Sequence, residues 1–229
     1  MEPSHLISAV ISIIILDLVL SGDNAAVIGM AIRHLPQDLR KKAATVGAML
    51  AIVLRIICTI FATVLLTIPY FSLGGGVLLL FIAAHLLKSG QDDNGEGVKD
   101  RSSDIKNSFL KAVGIIVIAD ASMAIDNVLA VAGAAHGQPL LVILGLLVSI
   151  PILIFASTWL ASMMKKFPII LWIGAAVLVR TALSMIIEER SWSLAEMLGY
   201  HLSILLPFAI AAIVLIYGIT KIIKQRRLQ

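Results

Sequence analysis

The stretch DLVLSGDNAAVI, residues 17–28, puts two aspartates and an asparagine inside a run that otherwise reads as lipid-facing. Ionisable side chains at bilayer depth are costly and rare, so Asp17, Asp23 and Asn24 need a physical reason to be there. The surroundings leave little doubt about the solvent. Of 229 residues, 59% are hydrophobic and only 14% charged, with a mean hydropathy of +1.01. A soluble domain has about half apolar and a quarter charged residues. In lipid every backbone amide must be satisfied internally, which leaves helices or a closed barrel. Long unbroken apolar runs, with no alternating segments, select helices.

Seven spans are predicted, at about 6–33, 44–68, 72–89, 108–135, 139–163, 168–187 and 198–222. The charged, Gly- and Ser-rich segment 90–107 cannot bury enough apolar surface to fold and reads as a flexible linker. Fifteen of the eighteen Lys and Arg residues flank alternate connections: Arg33 to Lys42, Lys88 to Lys111, Lys165 and Lys166, and Lys221 to Arg227. The opposite side has only Arg190, while Arg55 and Arg180 lie within spans. That asymmetry predicts the N-terminus outside and the C-terminus in the cytoplasm. A pI of 9.3 therefore reflects orientation in a lipid bilayer rather than a nucleic-acid partner. Cys58, the sole cysteine, has no internal disulfide partner and reads as a packed thiol. MEPSH at the start lacks a positive n-region, and no small-residue cleavage site follows, so no cleavable signal peptide is expected.

The opening stretch has a partner in DASMAIDNVLAV, residues 120–131. Both read D-x5-D-N, matching Asp17 with Asp120, Asp23 with Asp126 and Asn24 with Asn127. The likeness continues from Gly47 against Gly145 and from Gly76 against Gly174. The expected division is a first three-helix repeat at 1–89, the linker at 90–107, a second repeat at 108–187, and a seventh helix with a basic tail at 188–229. Three is odd, so the second copy enters the membrane upside down relative to the first. Secondary transporters recurrently use such inverted repeats, with the site near the midplane between the copies.

Residues seven apart share a helix face, so Asp17 points with Asn24 and Asp120 with Asn127. Asp23 and Asp126 lie about 120° away. Ser21 and Gly22 are able to loosen the first span and turn Asp23 inward; the second copy has Ala124 and Ile125 there. Carboxylate and amide oxygens are hard ligands suited to Mg²⁺, Ca²⁺ or Mn²⁺, and Met123 offers a softer thioether, though a packing role is the plainer reading for a methionine. The metal candidates are thus Asp17, Asp23, Asn24, Asp120, Asp126 and Asn127, with Arg55 and Arg180 as charge partners. If each arginine neutralises one of the four aspartates, the remainder suits one divalent cation. The bland alternative is that acids and arginines only pair to hold helices together. His85 and His201 fit interfacial positions, Pro151 and Pro207 are expected to bend their helices, and LGGGV at 73–77 reads as a close-packing patch.

LDLVLSGDNAAVI and IADASMAIDNVLAV resemble the paired signature of the TerC family of integral membrane proteins, and the likeness covers about residues 6–220. The resemblance implies metal handling, Mn²⁺ efflux first, within the wider group of LysE-like exporters. It also implies a possible supply of metal to exported metalloenzymes or secretion machinery. No resident cofactor is expected and no enzymatic activity. No nucleotide-binding G-x-x-x-x-G-K-[ST] loop is present, so a counter-ion such as the proton is the expected drive. Two rival classes are a non-transporting membrane scaffold and an intramembrane aspartyl protease. LSGD at 20–23 lacks the first glycine of the protease G-x-G-D motif, and no P-A-L follows.

Overall fold

The computed structural model describes residues 22–61, 68–89, 102–134, 139–189, 191 and 194–227; the side chains of 59–60, 89, 102–104, 124–134, 139–146 and 226–227 lie outside that description. Among the described residues the chain is all helix. The segments are α1 (Gly22–Ile32), α2 (Gln37–Ile60), α3 (Phe71–Ser89), α4 (Ser102–Ala134), α5 (Pro139–Lys166), α6 (Pro168–Ile187), the short α7 (Leu194–Leu198) and α8 (Tyr200–Arg227). Four stretches are long and apolar enough to cross a membrane: Phe71–Lys88, Leu147–Lys166, Pro168–Ile187 and Tyr200–Gln225. The other expected spans are described over only part of their apolar runs: α1 starts at Gly22, α2 stops at Ile60, and α4 side chains end at Met123.

The helices of residues 22–89 find their main neighbours in residues 102–187. α2 packs along α4, α1 along α5, and α3 along α6; α3 also meets α4, and α1 meets α6. Small residues make this close contact possible. Ala43, Ala44, Ala83, Ala161, Ala175 and Ala182 are all buried. A Cβ on Gly76 would come within 2.7 Å of the Ala182 carbonyl oxygen, so the glycine patch on α3 is where that helix lies flush with α6. Without a hydrophobic force between helices in lipid, such small-residue contact drives their association. The outward surface is apolar instead: Phe81, Phe155 and Leu205 are among many large exposed side chains. This inverts the soluble pattern and is what a lipid solvent requires.

α8 stands apart from the interlocked helices and rests on α6. Trp172 meets Tyr217 edge-on at 5.7 Å and packs over Gly218. Pro151 and Pro207 lie inside α5 and α8. At one end of the bundle, Arg33 Nη2 donates to the Leu86 carbonyl (2.8 Å), tying α1 to the last turn of α3. At the other, buried Glu189 follows α6 and accepts the Leu73 N–H in the first turn of α3 (3.2 Å). Ser191 donates to Glu189 through N–H and Oγ–H, and Tyr70 N–H donates to Ser191 Oγ. Tyr70 has a φ of +61°, uncommon for a residue with a side chain, and makes the turn into α3. First-turn amides lack helical partners, so a carboxylate there both accepts their protons and suits the helix dipole.

Candidate functional site

α4 runs without interruption from Ser102 to Ala134, through the second D-x5-D-N motif. Asp120 lies partway along it, 7% exposed, and Arg55 of α2 is 4% exposed. Arg55 Nη2 donates to Asp120 Oδ1 at 2.6 Å. Two buried opposite charges in a bilayer have to meet or lose their charge, and here they meet. Asp120 Oδ2 is buried and has no hydrogen-bond partner among the described residues. An acceptor left bare in a low-dielectric interior costs about 1–3 kcal/mol, more when charged. Something able to donate a proton or a positive charge belongs beside it.

That oxygen's residue lines a partly open cavity of about 20 Å³. Its polar lining comes from four helices: Asn24 of α1, Arg55 of α2, Asp120 of α4 and Ser149 of α5. Val27, Ile28, Ala48, Ile116 and Leu153 belong to the apolar wall. A cavity of this size holds about one water-sized centre. The polar side chains around it are a carboxylate, an amide and a hydroxyl together with the Arg55 guanidinium. Two further lining pairs have a sequence relationship: Ala51 matches Ser149 and Arg55 matches Leu153 when Gly47 is aligned with Gly145. Positions matched in that sequence alignment thus line one cavity.

The helical-wheel separation of Asp23 from Asn24 is visible directly. Asn24, 4% exposed, lines the cavity, whereas Asp23 does not. Asp23 sits in the first described turn of α1, accepts the Asn24 N–H at Oδ1 (2.9 Å), and accepts Thr181 Oγ1–H of α6 at Oδ2 (3.3 Å). Its neighbour Arg180 is exposed on α6 with its guanidinium 4.9 Å from the Phe208 ring centroid of α8. Among the described residues no carboxylate lies within 4.0 Å of Arg180, which makes a cation–π contact there, while Asp17 and Asp126, two of the acids expected to pair with the arginines, lie outside the described residues. Met123 is buried in the apolar core and does not line the cavity. Asp17 lies outside the described residues, as do the side chains of Asp126 and Asn127. Among the described residues no group of three or more His, Cys, Asp or Glu gathers.

Ser149 and Thr181 carry polar contacts at these positions without having stood out in the sequence. Hydroxyls are common in spanning helices and usually bond their own preceding turn, as Ser122, Thr158 and Ser162 do here. Only the repeat register, which places Ser149 opposite Ala51, singles one out.

The model of the integral membrane protein TerC family matches residues 2–228. The chain is 37% identical over 219 residues to the uncharacterized membrane protein YjbE of Bacillus subtilis, covering 96% of this chain and 97% of that one. It is 28% identical to YkoY of the same organism, covering 72% of this chain and 58% of YkoY. It is 26% identical to the inner membrane protein YoaE of Escherichia coli, covering 88% of this chain but only 40% of YoaE. No solved structure matches. The chain belongs to the TerC family and is a multi-pass integral membrane protein.

Proposed function

We propose that this member of the TerC family is a secondary transporter that exports a divalent cation, Mn²⁺ first, from a site between two inverted three-helix halves. The observation that carries the reading is the small cavity where Asn24, Arg55, Asp120 and Ser149 meet, with one oxygen of a buried carboxylate lacking a hydrogen-bond partner among the described residues. Matched positions of both copies line it, and the main helix contacts exchange between copies: α2 with α4 corresponds to α5 with α1. Both features support an inverted arrangement, and the Lys and Arg distribution orients it with the N-terminus outside and the C-terminus inside. Asp17, Asp126 and Asn127, the repeat mates of Asp120, Asp23 and Asn24, complete the proposed ligand set.

Arg55 has a definite part in this cycle. With the site empty, its guanidinium neutralises Asp120, so the carrier can reorient without an uncompensated carboxylate in lipid. A divalent cation entering the cavity takes over that neutralisation, with Asp120, Asn24 and the motif residues of the other copy replacing its hydration shell. An inside-negative potential opposes export by about 4.6 kcal/mol per 100 mV for two charges, twice the single-charge figure. Protons taken up by the vacated carboxylates are the counter-ion this chemistry offers.

Purified protein in sealed liposomes, assayed against Mn²⁺, Mg²⁺, Ca²⁺, Zn²⁺ and Fe²⁺, tests the reading. Mn²⁺ flux is expected from the wild type and is abolished by Asp120→Asn in protein that still inserts. Absence of flux for every metal points instead to a scaffold that assembles or metallates other proteins, for which neutral motif residues are tolerable. Flux unaltered by a pH step across the vesicle rules out proton exchange.

A further inference from the structure

A second cavity shares no lining residue with the one at Asp120. It is a groove of about 300 Å³ between α3 and α4, lined by Leu78, Phe81 and His85 of α3 and by Lys111, Ile115 and Ile118 of α4. Phe81 is 69% exposed and Ile118 46%, so the groove opens to the lipid phase. As successive spans, α3 and α4 run in opposite directions. His85 and Lys111 therefore fall together at the end nearest the connection between them, with Leu78 and Ile118 at the other. Seven residues of helix separate the two ends, about 10 Å of rise. The groove's own walls are wholly apolar, and the Lys111 and His85 side chains stand at one end of it. Lys111 is exposed and has no carboxylate partner among the described residues. The His85 ring is held at the mouth by stacking on Phe81, with ring centroids 6.4 Å apart and planes 15° from parallel.

We propose that this groove is a binding site for an anionic phospholipid. One acyl chain lies along Leu78, Phe81, Ile115 and Ile118, and the phosphate meets the Lys111 ammonium and the His85 imidazole. The charge at the mouth selects the headgroup. A net-negative lipid brings a phosphate to an ammonium, whereas a zwitterionic one also brings its own cation beside it. Lys88 and Lys106, near the same connection in sequence, add to the attraction. The Lys and Arg distribution assigns this end to the cytoplasmic leaflet, where anionic lipids draw basic residues and basic inter-helix pockets hold lipid headgroups. The site needs no metal, so it stands or falls apart from the transport reading.

The test uses the full-length protein in nanodiscs mixing dioleoyl-phosphatidylglycerol with dioleoyl-phosphatidylcholine, with lipid retention read by native mass spectrometry. The wild type is expected to retain phosphatidylglycerol preferentially. Lys111→Gln is expected to cut that preference about fivefold, the worth of one basic residue at a membrane surface. Lys166→Gln, exposed at the end of α5, is the control and leaves the preference intact. Ile118→Trp fills the groove from its lipid-exposed side and removes the preference without disturbing the buried core. Equal losses in Lys111→Gln and Lys166→Gln reduce the effect to surface charge and overturn the site. So does an undiminished preference in Ile118→Trp, or displacement of the lipid by inorganic phosphate alone. A change of oligomeric state in Ile118→Trp in pure phosphatidylcholine overturns it too, because the groove is then a contact between copies of the chain.

Discussion

Arg55 and Arg180 are the two arginines placed within the spans, and they have met different fates. Arg55 lies where α2 crosses α4, almost wholly buried, with its guanidinium on Asp120. Arg180 lies on α6 where α8 rests, exposed, with its guanidinium over the Phe208 ring. A charge sealed between interlocked helices can be tolerated only with an opposite charge, and removing either partner strands the other. A charge at an outer helix contact keeps a route along its flexible stem toward the interface and settles for an aromatic face. Among the described residues the same residue type thus sits in a buried ion pair in one place and in a helix-docking contact in the other.

The sharpest break is Arg55→Met, which leaves Asp120 buried without its counter-charge. Thermal unfolding in detergent should show a loss of about 3–5 kcal/mol, and Arg55→Met with Asp120→Leu should recover most of it. Next comes the interlocked region as packing rather than charge. Gly76→Val drives a side chain into the Ala182 carbonyl and Ile186 and should cost about 1–3 kcal/mol, while Gly114→Ala, with nothing within 4 Å of its new Cβ, should be close to neutral. At the outer contact, Phe208→Ala removes only the aromatic face under Arg180, and a loss of about 1 kcal/mol is expected by the same measurement. A loss as large as that of Arg55→Met would erase the distinction between the two arginines.

The smallest effect at neutral pH is expected outside the membrane, at Glu189. Burial pushes this carboxyl up, but hydrogen bonds from Ser191 and from the Leu73 and Ser72 amides outweigh it and hold the group below the ordinary glutamate range. A carboxyl depressed on folding stabilises the fold fully above its unfolded value and loses that contribution as pH falls through the folded one. Acid unfolding curves should therefore lose a component in Glu189→Gln. The variant should decline less than the wild type across that acidic range, and parallel curves would reject the clamp on α3.

Much of the difference between the two arginines was not legible in the sequence, for identifiable reasons. Hydropathy and the cost of buried charge singled out Asp120, Arg55 and Arg180, and the seven-residue spacing separated the face of Asn24 from that of Asp23. Those inferences depend on one helix at a time. Which arginine meets which acid depends on how helices dock, and no local pattern says that α8 lays Phe208 beneath Arg180. Ser149 and Thr181 were silent because a hydroxyl can satisfy itself on its own helix. Glu189 was silent because its value lies in the bare amides of a helix far along the chain, at Leu73. The glycine patch of α3 was legible, since a run of three glycines in a span has few uses besides close approach.

The central claim is that the buried Asp120 carboxylate holds the cation. Equilibrium binding of radioactive Mn²⁺ to purified wild type, Asp120→Asn and Arg180→Gln tests it most directly. A single saturable ion per chain is expected in the wild type and in Arg180→Gln, with affinity reduced more than about tenfold in Asp120→Asn, as for loss of a charged oxygen ligand. Undiminished binding by Asp120→Asn would contradict the claim.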